Sequence, residues 1–294
     1  MIGVFAAIIA SILGGAINPT FIKIGTQDIS PILFTALRFG LALLLFSPIY
    51  RHHHLKKLWG NKMVMFSSGV FAVNLLLFAY GVRLTSAIMS QVLFATTPLL
   101  VAVFELAFFG KRVHSKQLVG GIIAFVGLGI LVLQSFTSAD ELSFGSPLGN
   151  FIILSATVFW SLYIVLSKQY AGRYSPISIV HNNYLITTSL ALFLVAIEFL
   201  VIGIPTAIPS AESLGSLGLV ALGGTATMFY MMQIAIKRLG AFTVSLFIYL
   251  NPLFAALTAI PLLGEQITPR LVMGASLIIF GVFYATAWDH LHRK

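Results

Sequence analysis

Apolar residues run along this chain in long blocks, separated by short clusters of Gly, Pro, Ser or charge. The blocks begin near Ile2, Pro31, Met63, Ala87, Leu118, Leu148, Pro176, Leu217, Phe242 and Leu271. A helix that crosses a bilayer needs about 20 mostly apolar residues, so the pattern predicts ten transmembrane helices. The intervening stretches, such as "RHHHLKKLWGNK" at 51–62, "TSADELSFGSP" at 137–147 and "IPTAIPSAES" at 204–213, are too short to hold a soluble domain.

Composition agrees with the pattern. Hydrophobic residues make up 59% and charged residues 9% of the chain, against about 25% charged in soluble domains, and mean hydropathy is +1.00. A soluble reading would need one core to hide nearly every helix on all sides, and cores stop growing at about 250–300 residues. With no cysteine, disulfides and thiolate metal sites are excluded. The net charge of +9 is spread over short loops rather than along one stripe, so it points to topology and not to nucleic acid. Of the 17 Lys and Arg, thirteen fall in one set of alternate loops and the C-terminus, three (Lys23, Arg83 and Arg270) in the other set, and Arg38 inside a span. Cations gather on the cytoplasmic side, which predicts a multi-pass protein of the cell membrane, the inner membrane of a bacterium, with both termini cytoplasmic. The first block lacks the cationic start of a secretory signal and is kept as a span.

Two registers relate the halves. Lys23 and Pro31 recur 145 positions later as Lys168 and Pro176, whereas Ala87, Pro98, Gly110, Gly120 and Gly127 recur 154 positions later as Ala241, Pro252, Gly264, Gly274 and Gly281. The chain therefore reads as an all-α membrane protein of ten transmembrane helices in two five-helix repeats, 1–136 and 147–289. Five is odd, so the second repeat enters from the opposite side and the two are inverted, an arrangement typical of transporters with a substrate site at mid-membrane between the repeats.

The segments "NPTFIK", "PILFTALRF", "TTPLLVAVFELAFFGKR", "WSLYIVLSKQ" and "YLNPLFAALTAIPLLGEQ", in this order, resemble the EamA-type branch of the drug/metabolite transporter superfamily over essentially the whole chain. The resemblance implies export or exchange of small metabolites, including amino acids, some members exporting aromatic ones. The fourth and ninth spans of that family typically end in Gly-Glu. Here the ninth has Gly264-Glu265 but the fourth has Gly110-Lys111.

The candidate site follows from the repeat. Pro98 and Pro252 occupy matching mid-span positions, where a proline removes a backbone donor and kinks the helix. Broken helices in corresponding positions mark transport sites, although a tolerated kink is the plainer alternative. Gly14, Gly15 and Asn18 of span one align with Phe159, Trp160 and Tyr163 of span six, so a wall of small residues faces a wall of rings. Asn18, Trp160, Tyr163, Pro98, Tyr249, Asn251 and Pro252 are thus expected to bound a central cavity. The other polar groups within spans, Asn74, Tyr80, Gln91, Tyr230 and Gln233, are read as bonding to neighbouring helices, and the glycines of spans five and ten as close-packing positions.

Arg38, about 10 Å inside its span at 1.5 Å per residue, is expected to face protein and to be satisfied by a carboxylate or helix-end carbonyls. With Glu198 in the symmetry-related seventh span, it is assigned a structural or gating role. Spans one and six carry no acid to exchange protons in the manner of small multidrug-resistance proteins. His52, His53 and His54 point in different directions along a cationic loop and are not read as a metal site, and no hydrolase or phosphate-binding motif is present. The expected function is a secondary transporter exporting small metabolites, amino acids with apolar or aromatic side chains being the best guess, with no enzyme activity, cofactor, metal or nucleic-acid partner. It would work in the bilayer as a monomer or weak dimer. An exchanger or uptake carrier for another solute is the alternative, and a membrane sensor or lipid-handling protein the alternative of another class.

Overall fold

The computed structural model describes residues 1–49, 58–110, 115–137, 144–203 and 208–291. They form ten long helices: α1 (Ile2–Gly25), α2 (Pro31–Phe46), α3 (Lys62–Leu84), α4 (Ala87–Phe109), α5 (Ser115–Thr137), α6 (Pro147–Ala171), α7 (Pro176–Ile202), α8 (Ala211–Leu239), α9 (Ala241–Leu263) and α10 (Pro269–Leu291). Seven of them are long and apolar enough to cross a membrane. The other three, α2, α5 and α10, carry shorter apolar stretches among the described residues. At 1.5 Å per residue the 16 residues of α2 reach about 24 Å, less than the roughly 30 Å hydrocarbon thickness.

Local chemistry sets the helix starts. Ser30, Ser146 and Ser175 each precede a proline, and each serine Oγ accepts from a backbone N–H three residues on. The serine satisfies an orphan donor while the proline, lacking one, suits the first turn. Ser210 caps α8 in the same way through the N–H of Ser213, so this helix starts at Ala211, six residues before the apolar block that announces it. Gly110 and Gly264 end α4 and α9 at φ 63° and 66°, a left-handed conformation that glycine adopts without a Cβ clash.

Four helices are interrupted. α1 has a π turn at Leu13–Ile17 and α8 a π stretch at Val220–Thr227. α4 breaks after Phe94 and restarts at Thr97–Phe109, and α9 passes through a 3-10 turn, Phe247–Leu250, before Asn251–Leu263. Pro98 and Pro252 stand in the first turn of each restarted piece, where a missing N–H costs least.

The packing repeats itself. α3 lies against α6 as α8 lies against α1, α4 against α6 as α9 against α1, and α2 against α8 as α7 against α3, while α5 pairs with α10, α2 with α7 and α4 with α9. Each of these contacts maps onto another, or onto itself, when α1–α5 are exchanged with α6–α10. The α5–α10 contact is a glycine crossing: a Cβ on Gly127 would lie 2.8 Å from the Gly274 carbonyl oxygen, and one on Gly281 would lie 2.6 Å from that of Gly120. Large apolar side chains such as Phe66, Phe125, Phe151, Phe193 and Leu200 cover the outside of the bundle.

The crossing yields a direct test. Gly281→Ala would put a Cβ 2.5 Å from the Ala124 backbone nitrogen, and is expected to lose about 1–3 kcal/mol of stability through overpacking. Gly129→Ala, with nothing within 4 Å, is expected to gain up to about 1 kcal/mol from helix propensity. Thermal melts of the purified variants check the pair.

Candidate functional site

The interrupted helices meet around a partly open cavity. α1 contributes Ala10, Ser11, Gly14 and Asn18, α3 Asn74, Leu75 and Phe78, α4 Gln91 and Phe94, α6 Trp160, α8 Met228, Phe229 and Met232, and α9 Ile248 and Asn251. Glycine brings the walls together: a Cβ on Gly15 would stand 2.7 Å from the Asn251 carbonyl oxygen, and one on Gly224 would stand 2.0 Å from Asn18 Oδ1.

Side chains serve the backbone that the interruptions expose. Asn18 Nδ2 donates to the Gly224 carbonyl at 3.1 Å, inside the π stretch of α8. Ser11 Oγ donates to the Phe247 carbonyl at 3.0 Å, in the 3-10 turn of α9. Asn74 Nδ2 donates to the Ala156 carbonyl at 2.7 Å, and Asn251 Nδ2 to Gln91 Oε1 at 3.2 Å. Asn18 Oδ1 and Asn251 Oδ1 are buried and have no hydrogen-bond partner. The lining thus carries no ionisable group, offers neutral hydrogen-bonding groups and is otherwise apolar and aromatic, the usual make-up of a small-molecule site.

Of the residues expected to bound the cavity, Asn18, Trp160 and Asn251 line it. Tyr163 does not: its ring lies behind Trp160, centroids 5.5 Å apart. Its hydroxyl accepts from Asn183 Nδ2 at 2.7 Å and from Gln233 Nε2. Pro98 and Pro252 are buried in the first turns of their helix pieces, and Tyr249 is half-buried, packed against the core; none of the three lines the cavity. Asn74 and Gln91 do bond to neighbouring helices, yet they also face the cavity. Asn74 and Met228, Leu75 and Phe229, Phe78 and Met232, and Phe94 and Ile248 all line it, and the members of each pair stand 154 positions apart. The register of the repeat relates these eight in pairs, but it does not say which face of each helix turns inward.

Arg38 is fully buried, and none of its guanidinium nitrogens has a hydrogen-bond partner. The expected carboxylate is absent among the described residues. Glu198 accepts from Ser30 Oγ at 2.7 Å and so ties α7 to the start of α2. His52, His53, His54 and Lys111 lie outside the described residues.

Glu265 closes one end of the bundle, a role its sequence gave little sign of. The left-handed Gly264 turns the chain back, and the Glu265 carboxylate accepts from Ala87 N at 2.5 Å and Ile88 N at 2.9 Å, the first two amides of α4. A negative charge suits that end of the helix dipole, and Ser86 Oγ takes the third amide, Met89 N, at 3.0 Å. Lys23 of α1 lies 3.5 Å from the same carboxylate and donates to the Thr85 carbonyl at 2.7 Å. Thr85 Oγ1 in turn meets Asn150 Oδ1 of α6 at 2.5 Å. Nearby, Ser210 and Ser213 donate to Asp28 and hold its carboxyl below the ordinary value.

Comparison with known proteins agrees with this architecture. The model of the EamA-like transporter family matches residues 1–133 and again 147–287, so the chain belongs to that family. It is a multi-pass membrane protein. It is 28% identical over 272 residues to the uncharacterized transporter YyaM of Bacillus subtilis, covering 87% of this chain and 85% of the relative. An uncharacterized transporter of Archaeoglobus fulgidus is 25% identical over 266 residues, 90% of this chain and 91% of its own length. A protein of known crystal structure superposes with a TM-score of 0.67 at 19% identity over 100% of this chain and 98% of its own, which shows a shared fold.

Glu265→Ala removes the acceptor of two buried amides and the partner of Lys23. A loss of about 1–3 kcal/mol is expected, whereas removal of the exposed Glu212 should stay within about 0.5 kcal/mol. Denaturation of both purified variants provides the measurement.

Proposed function

We propose that the protein is a secondary transporter that exports small amphipathic metabolites, best an amino acid with an apolar or aromatic side chain, by alternating access. The two repeats, 1–136 and 147–289, are inverted, and the cavity lies on the axis that relates them. One observation carries this reading: residues at equal positions of the two repeats converge on one cavity where four interrupted helices meet. Interrupted helices at a repeat interface are the mark of a transport site.

The substrate class follows from the lining. Unpaired carboxamide oxygens on Asn18 and Asn251 would accept N–H donors, while Trp160, Phe78, Phe94 and Phe229 offer flat apolar area. No acid lines the cavity to favour a strongly cationic guest. Uptake of the same substrates would use the same geometry, so direction rests on the family resemblance.

The test is counterflow of radiolabelled tryptophan, phenylalanine and leucine in proteoliposomes of the purified protein. Saturable exchange of at least one is expected, with Asn251→Ala lowering it about tenfold, the loss of roughly one hydrogen bond to substrate, and Trp160→Phe raising KM. Absence of counterflow for every neutral amino acid would overturn the substrate class.

Orientation has its own test. The cation asymmetry of the loops puts both termini in the cytoplasm and the Glu265 end outside. A cysteine placed at 212 is expected to react with an impermeant thiol reagent added to intact cells, and one at 173 only after lysis; the reverse pattern would invert the topology.

A further inference from the structure

Arg38 stands apart from the cavity and from the Glu265 cluster. Its side chain is fully buried, and Nε, Nη1 and Nη2 all lack a hydrogen-bond partner. A guanidinium presents five donors and stays protonated in proteins, and a buried charge without a partner is strongly unfavourable. Among the described residues no carboxylate serves it: Glu198 is engaged by Ser30, Asp28 by Ser210 and Ser213, and Glu265 by Lys23 and the start of α4. The ring of its neighbour Phe39, 4.9 Å from Cζ, offers only a cation–π contact.

The elements packed on α2 supply further unpaired groups. α7 and the π stretch of α8 both lie against it. On those two elements the hydroxyls of Thr187, Thr188 and Thr225 are buried without partners. Tyr184, from the same stretch of α7, packs on Phe39 at 5.4 Å and donates to the Thr225 carbonyl at 2.7 Å, which locks α7, α2 and α8 around this point. Phe39 also stacks on Phe229, 5.9 Å away, and Phe229 belongs to the cavity wall. One aromatic layer therefore separates this region from the cavity.

We infer that Arg38 is the anchor of a buried site for a small monovalent anion, at the junction of α2, α7 and the π stretch of α8. The guanidinium is a donor without an acceptor, so it suits an acceptor-only ligand with one charge to match one cation, and a hydroxyl from a packed element can add a donor to the same ligand. A carboxylate fits the fork in bidentate fashion, and a halide satisfies the same donors. The inference goes beyond the transport reading, and its assay reads binding to the purified protein without any flux, so one can fail while the other stands.

Thermal unfolding of the purified protein is to be followed at constant ionic strength while sodium gluconate, a carboxylate far bulkier than acetate, is replaced by sodium chloride in one arm and sodium acetate in another. A saturable rise in Tm of roughly 5 °C is expected in at least one arm, as for any ligand that binds only the folded state. A rise with chloride alone identifies an inorganic anion, and a rise with acetate a carboxylate. In gluconate, Arg38→Met is expected to melt no lower than wild type, because it removes an uncompensated buried charge, and its Tm should not respond to either anion. Should that variant fail to fold, Arg38→Lys, which keeps the charge and loses the fork, is expected to need at least tenfold more anion for half the rise. Equal melting of the wild type in all three salts would overturn the site. So would an undiminished anion response in Arg38→Met, or in Arg38→Lys where the first variant does not fold, and so would a fall of several degrees for Arg38→Met in gluconate.

Discussion

In hydrocarbon no water is available to a stray N–H or C=O, so every departure from the α-helix must be satisfied by protein or must line a cavity. That constraint organises this bundle. The π turn of α1, the π stretch of α8, the break in α4 and the 3-10 turn of α9 all gather at one place. Asn18 serves the Gly224 carbonyl and Ser11 the Phe247 carbonyl. Asn18, Ser11 and Asn74 are thus first of all partners of the backbone, while Asn18 Oδ1 and Asn251 Oδ1 remain without one.

The same economy explains the Glu265 end. A helix starts with orphan amides, and α4 begins inside the bundle, where Ala87, Ile88 and Met89 are all buried. Their donors are met by one carboxylate from the turn that follows α9 and one serine hydroxyl. Because Lys23 of α1 joins the same carboxylate, three helices are tied at their ends by a group that is also a cap. In the sequence, the position 154 residues before Glu265 holds Lys111, and a cation cannot accept from a helix N-terminus, so this cap is not repeated in the first half of the chain.

Beside the cavity and behind it, polarity is distributed differently. The cavity wall is neutral, whereas Arg38, midway along α2, lies over the ring of Phe39, and threonine hydroxyls on the helices packed against α2 are unpaired. Tyr163 shows the opposite outcome, a polar ring fully engaged by Gln233 and Asn183 on neighbouring helices. Burial alone does not separate the two; the count of available partners does.

Much of the architecture was legible in the chain. Apolar block length is imposed by the bilayer, so the helices fell where the blocks did, and the serine–proline starts and the glycine stops are local chemistry. The register of the repeat set Gly120 and Gly127 against Gly274 and Gly281, the glycines found at the crossing of α5 and α10. Which face each helix turns inward was not legible, because a helix that is apolar all round carries no periodic signal of its inner side. Only packing therefore decided that Trp160 reaches the cavity while Tyr163, three residues on, does not. The reach of Glu265 to Ala87, 178 positions away, and the absence of any carboxylate for Arg38 are likewise properties of helices brought together in space, where partners far apart in the chain compete for the same few donors.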